Sequence, residues 1–176
     1  MYHRLQITVF VKKFNSMRKN KEVYDNETKA YRNCNPMNIR WSESNRWWGQ
    51  SGCDDRGFCR FQAFSYGYRA AVMILRKYHR DGWRTVGEII ARWAPSTEND
   101  TKAYTDSVCR IMSPRFSEPY VVTPETMVDL KNRELVVHLL YAMSKVETGW
   151  NVATLHRLKP YMETGYDLAA TKPGFF

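Results

Sequence analysis

"NRELVVHLLYAMSKVETG", residues 132–149, decides the fold of this chain. Asn132 suits an N-cap, because its side-chain oxygen can accept one of the orphan N–H groups of a first turn. Leu135, Val136, His138, Leu139, Leu140 and Met143 then recur at the spacing of one helical face, and Gly149 supplies the glycine stop. An apolar face of this length has to be covered by neighbouring elements, so the rest of the chain is read for what covers it.

Upstream the periodicity stays helical. "SYGYRAAVMILRKYHRDG" (65–82) places positions 70, 71, 74, 75 and 78 on one side, with Gly82 at its end. "TVGEIIARWA" (85–94) starts from Thr85 and stops before Pro95. "NDTKAYTDSVCRIM" (99–112) puts Tyr104, Val108 and Ile111 on one face and ends before Pro114. Earlier, "RWWGQSGCDDRGFCRFQAF" (46–64) reads as two short strands around a Gly/Asp turn, and "YRNCNPMNIRW" (31–41) as an Asn/Pro-rich loop. Downstream, Thr123-Pro124 is a capping pair that predicts the start of a short helix, and "NVATLHRLKPY" predicts a short final one from Asn151. The expected class is α+β, mainly α, with one small β-hairpin: residues 1–29 form a basic leader and 30–176 a single domain.

Composition bounds the function. The 176 residues are 43% hydrophobic and 26% charged, an ordinary globular balance, while aromatics reach 14%. The net charge of +9 is concentrated early, since residues 1–46 hold ten Lys/Arg against four Asp/Glu. Such a surface favours polyanions: nucleic acid, anionic lipid or the acidic polymers of a bacterial wall. No apolar run reaches the roughly 18 residues of a membrane span. "LQITVFV" (5–11) is too short for a secure signal segment and reads as an extra strand or loose leader, with Met17 as a second candidate start. The four cysteines (34, 53, 59, 109) lack metal-ligand spacing, so no metal or cofactor is expected and free thiols are the default; Cys53 and Cys59 flank the predicted turn, where a hairpin could set them face to face. No Gly-x-Ser-x-Gly or glycine-rich phosphate loop is present.

Carboxylates carry the candidate chemistry. Glu147 falls in the last helical turn, where the dipole disfavours negative charge by about 0.3–1 kcal/mol and pushes its pKa upward, as a general acid requires. Glu98 precedes a helix, where its negative charge is favoured; Asn99 and Asp100 there are candidate caps. Trp93-Ala-Pro beside it offers a flat ring next to a carboxylate, a pairing suited to sugars. Asp54 and Asp55 lie on the hairpin turn and are candidates for the second carboxylate of a glycoside-cleaving pair.

The ordered segments "YRNCNPMNIRW", "WWGQ", "FCRFQAFSYGYRAAVMIL", "TVGEIIARWAPSTENDTKAY" and "VETG" resemble a family of phage and prophage virion structural proteins related to the lysozyme-like superfamily. The resemblance covers roughly residues 30–150. It implies a lysozyme-like helical domain and singles out Asn35, Pro36, Asn38, Arg40, Trp48, Gly49, Arg69, Trp93, Glu98, Asn99, Thr101, Tyr104 and Glu147. Met37 stands where that family has glycine, which crowds a turn expected to need positive φ, and Thr148 replaces the Asn of a Glu-Asn-Gly.

The function these readings imply is peptidoglycan-directed and phage- or mobile-element-encoded, with cleavage of the glycan strand by a muramidase or lytic transglycosylase reaction. Glu98 or Glu147 is the acid, and Asp54 or Asp55 stabilises developing positive charge. Asn35, Asn38, Arg40, Trp48, Arg69, Trp93, Asn99, Thr101 and Tyr104 bind substrate. The expected partners are glycan strands and other virion proteins, and the expected location is the virion or the bacterial wall after cytoplasmic synthesis. A non-catalytic virion or wall-binding protein of the same fold is the alternative. A basic nucleic-acid-binding protein comes third, since no nucleic-acid-binding motif accompanies the charge.

Overall fold

A computed structural model describes residues 27–113 and 121–172. The stretch 5–11, Met17 and most of the expected basic leader lie outside the described residues. Among the described residues the chain is mainly helical, with six helices and a two-stranded antiparallel hairpin. In order these are α1 (Lys29–Arg32), β1 (Gln50–Cys53), β2 (Cys59–Phe61), α2 (Phe64–Arg80), α3 (Val86–Trp93), α4 (Thr101–Met112), α5 (Arg133–Thr148) and α6 (Val152–Ala170).

Helix α5 is the centre. Asn132 caps it by accepting from Leu135 N–H at 3.0 Å, and Gly149 closes it in the left-handed conformation at φ 70°. All ten residues from Leu135 to Ser144 are buried, so the helix is covered on every side rather than on one face. Helices α4 and α6 pack against it, and α2 packs most extensively on α6. That last contact is close because Gly165 lacks a side chain: a Cβ there would sit 2.7 Å from Tyr68 Cβ and 2.8 Å from the Ser65 carbonyl oxygen.

The expected helix starts hold where capping chemistry was explicit. Thr85 and Glu88 form a reciprocal capping box at α3, with Thr85 Oγ1 accepting from Glu88 N–H and Glu88 Oε2 from Thr85 N–H. Asp100 caps α4 by accepting from Ala103 N–H at 2.9 Å. Thr101 Oγ1 donates to the Ala94 carbonyl at 2.6 Å, which ties the end of α3 to the start of α4 across the Pro95 loop.

Three expectations are corrected. Thr123-Pro124 starts no helix; it forms a turn, held by Gly87 N–H donating to the Pro124 carbonyl at 2.8 Å and by a bridge between Thr85 and Met127. The final helix is long, nineteen residues, and continues through Pro160. An internal proline costs about 3 kcal/mol, and burial of Leu158, Met162, Tyr166 and Ala169 against the core offsets it. Met37 does not occupy the strained position of its loop. Positive φ falls instead on Cys34 and Asn38, both at 47°, and Met37 packs into the core at 1% exposure with its sulfur 3.4 Å from Ser144 Oγ. Asparagine is among the few non-glycine residues that tolerate this conformation well.

Candidate functional site

Four separated elements meet at one carboxyl group. Glu147 ends α5, Trp93 ends α3, Tyr104 lies in the first turns of α4, and Asn38 comes from the loop between α1 and the hairpin. Trp93 Nε1 and Tyr104 Oη each donate to Glu147 Oε1 at 2.9 Å. Asn38 Nδ2 donates to Oε2 at 2.9 Å and to the Glu147 backbone oxygen at 3.2 Å, so it also satisfies a carbonyl left open at the helix end.

The distribution of donors matters. Among the described residues Oε1 accepts two hydrogen bonds and Oε2 one, so Oε2 is the oxygen with capacity left to carry a proton. Desolvation is the largest influence on Glu147 and raises its pKa above the ordinary value; the bonds from Asn38, Trp93 and Tyr104 pull the other way without reversing the shift. Tyr104 is nearly fully buried, and burial together with the neighbouring carboxyl pushes its phenol well up, so it stays protonated and donates to Glu147.

The loop carrying Asn38 is rigid because Asn35 fills it. Asn35 is 1% exposed; its Nδ2 donates to the carbonyls of Ile39 at 2.9 Å and Cys59 at 3.0 Å, and its Oδ1 accepts from Ile39 N–H at 2.9 Å. The residue thus stitches the loop to β2. Asn35 is therefore a frame residue, whereas Asn38 touches the carboxyl. At the other end, Thr148 donates to the Ser144 carbonyl at 2.7 Å and accepts from Trp150 N–H at 3.1 Å. Trp150 is fully buried and donates from Nε1 to Thr28 Oγ1 at 3.0 Å, which anchors the turn after Glu147.

The hairpin aspartates are engaged elsewhere. Asp54 Oδ2 accepts from Asn33 Nδ2 at 2.8 Å, and its Oδ1 accepts from the N–H groups of Arg56 and Phe58, each at 2.9 Å. Burial raises its pKa, but the bonds from Phe58, Asn33 and Arg56 and the charge of Lys29 outweigh it and hold the carboxyl at about 2. Asp55 is exposed and paired with Lys29. Because the Asp54 pKa is depressed below its ordinary 3.8, its contribution is present above pH 3.8 and is lost as pH falls toward 2. Urea melts of wild type and Asp54→Asn at neutral pH and at about pH 3 should therefore show a stability gap that narrows in acid.

Glu98 and Asn99 are exposed, and the Glu98 carboxylate makes no hydrogen bond or ion pair among the described residues. Their backbone N–H groups close a turn onto the Pro95 carbonyl at 3.0 and 3.1 Å. Trp48, 55% exposed, lies 6.0 Å from the Tyr66 ring with the Arg69 guanidinium 4.8 Å above it. Gly49 permits this arrangement: its φ is 73°, and a Cβ would come within 2.2 Å of the Tyr66 ring. Arg69 has no acid partner among the described residues, and its buried Nε is unbonded. Arg40 stacks on Phe58 at 4.6 Å along the hairpin edge. Sequence reading passed over Asn33, the Asp54 partner, because an Asn in an Asn-rich loop gives no spacing signal toward a turn 21 positions away. Among the described residues no group of His, Cys, Asp and Glu is arranged to hold a metal, and no helix is long and apolar enough to cross a membrane.

Fold and site together define a helix-rich domain with a hydrogen-bonded, half-buried acid at the carboxyl end of its central helix. No family model matches the chain. It is similar to Protein P5 of Pseudoalteromonas phage PM2, at 32% identity over 143 residues that span 78% of this chain and 82% of the phage protein. The chain belongs to the family of that phage protein.

Proposed function

We propose that this phage-family protein acts on bacterial peptidoglycan through a lysozyme-like domain and cleaves the glycan strand, with Glu147 as the general acid. The observation that carries the reading is the Glu147 cluster: one carboxyl, raised in pKa by burial, whose Oε2 accepts one hydrogen bond among the described residues. Protonated Oε2 would give its proton to the glycosidic oxygen as the bond to the anomeric carbon breaks. Asp54 is committed to its turn and Asp55 to Lys29, so neither supplies a free second carboxylate. A one-carboxylate scheme therefore fits best. The Glu147 carboxylate takes a proton from a hydroxyl of the same sugar, that oxygen attacks the anomeric carbon, and an internal anhydro ring closes without water. Trp48 with Arg69, and Trp93, are the sugar-binding surfaces of this reading, and other virion proteins are its further partners.

Tyr104→Phe removes a donor that favours ionised Glu147. The pKa should rise further and carry the alkaline limb of a glycan-release profile upward, a shift that a merely structural loss would not produce.

One observation favours a second, non-catalytic reading as a virion or wall-binding component. All three donors around Glu147 stabilise its charged form, as expected of a latch joining four elements. Purified sacculi separate the two. Soluble muropeptide release by wild type supports the enzyme; pull-down of sacculi without release supports the binder; the absence of both release and pull-down would overturn both readings.

A further inference from the structure

The two hairpin thiols take no part in the site. Cys53 ends β1, Cys59 opens β2, and they are directly opposed in the register. Asp54 N–H donates to the Phe58 carbonyl at 2.8 Å, and the Phe58 N–H returns to Asp54 Oδ1, so Asp54–Phe58 occupies the hydrogen-bonded position of the ladder. Such pairs alternate with non-hydrogen-bonded ones along an antiparallel ladder, so Cys53–Cys59 is of the second kind. The Cys59 N–H agrees, because it turns away from β1 and donates to the Ile39 carbonyl at 2.9 Å. In such a pair the Cα atoms lie about 4.5 Å apart with side chains at their closest, inside the roughly 4.4–6.8 Å span of a disulfide. Both thiols are free; Cys53 is exposed and Cys59 buried.

We propose that Cys53 and Cys59 are a modification site that closes a cross-strand disulfide on meeting a glutathione-type disulfide oxidant. The exposed Cys53 thiolate attacks one sulfur of the oxidant and releases one reduced glutathione. The Cys59 thiol then gives up its proton, and its sulfur attacks Cys53 and expels the second glutathione. Two thiols are oxidised and one disulfide is reduced, so the exchange balances. The crosslink fixes β2, whose Cys59 carbonyl receives Asn35 and so holds the loop bearing Asn38. Burial pushes the Cys59 thiol up, so ring closure should quicken as pH rises through neutrality. The proposal does not depend on glycan cleavage.

The full chain incubated with oxidised glutathione, denatured and alkylated should lose two of its four reactive thiols. Its mass should fall by two hydrogens before alkylation, and digestion should give a linked peptide pair joining Cys53 to Cys59. Cys53→Ser should leave Cys59 alkylatable. Four alkylated thiols after oxidation would overturn the proposal. So would a lasting glutathione adduct on Cys53 with Cys59 reduced, or chains crosslinked through Cys53.

Discussion

Glu147→Gln should lower release of soluble glycan fragments from sacculi by at least about a hundredfold, the low end of what a positioned general acid supplies. The substitution keeps the shape of the group. Its Oε1 still accepts from Trp93 and Tyr104, and only the oxygen facing Asn38 becomes an NH₂. Asn38 must then turn its amide, which gives up its bond to the residue 147 carbonyl. One such bond is worth about 1 kcal/mol, so Tm should fall by only a few degrees. A large loss of activity with a small loss of stability is the pattern of an acid rather than of a latch. Glu98→Gln, on an exposed carboxylate without partners among the described residues, should leave both quantities near wild type.

Asn35→Ala should produce the largest loss of stability. The truncation leaves Ile39 N–H and the Cys59 carbonyl without their partner inside the protein, while the Ile39 carbonyl keeps its bond from Cys59 N–H. Each orphaned buried group costs about 1–3 kcal/mol, so the expected loss is about 2–6 kcal/mol. For a chain of this size, at about 2–4 °C per kcal/mol, that lowers Tm by about 4–24 °C. Calorimetry of Asn35→Ala beside Asn99→Ala checks the assignment, since Asn99 is exposed and its side chain has no partner among the described residues. Equal effects at the two positions would contradict the role given to Asn35. Because Asn35 frames the loop that presents Asn38, glycan release should also suffer below the melting temperature.

The helical part of the fold was legible where local chemistry and periodicity agreed. Asn132 and Gly149 marked α5, and Thr85 marked the start of α3, because caps act within one turn of themselves. The signal failed where tertiary burial overrode a local rule. The final helix reads as short, yet α6 runs on well past Pro160 because the residues beyond bury against the core. Thr123-Pro124 reads as a helix start, yet its backbone is taken by α3 through Gly87. The family resemblance read from the sequence put Asn38, Trp93, Tyr104 and Glu147 among its candidates, and the structure brings them together. Periodicity could not have done so, because Asn38, Trp93 and Tyr104 lie 109, 54 and 43 positions from Glu147. Asp54 is the converse case: its place on a turn carries no sign that turn N–H groups occupy one of its oxygens and distant Asn33 the other.

Whether Glu147 is kept as an acid or held as an anion is the central matter, and a carbon-13 NMR titration of its side-chain carboxyl tests it directly. Burial that outweighs the three donors predicts a midpoint above the ordinary 4.5. A midpoint at or below 4.5 would mean that Asn38, Trp93 and Tyr104 win, and the cluster would then be a carboxylate latch in a protein that binds without cutting.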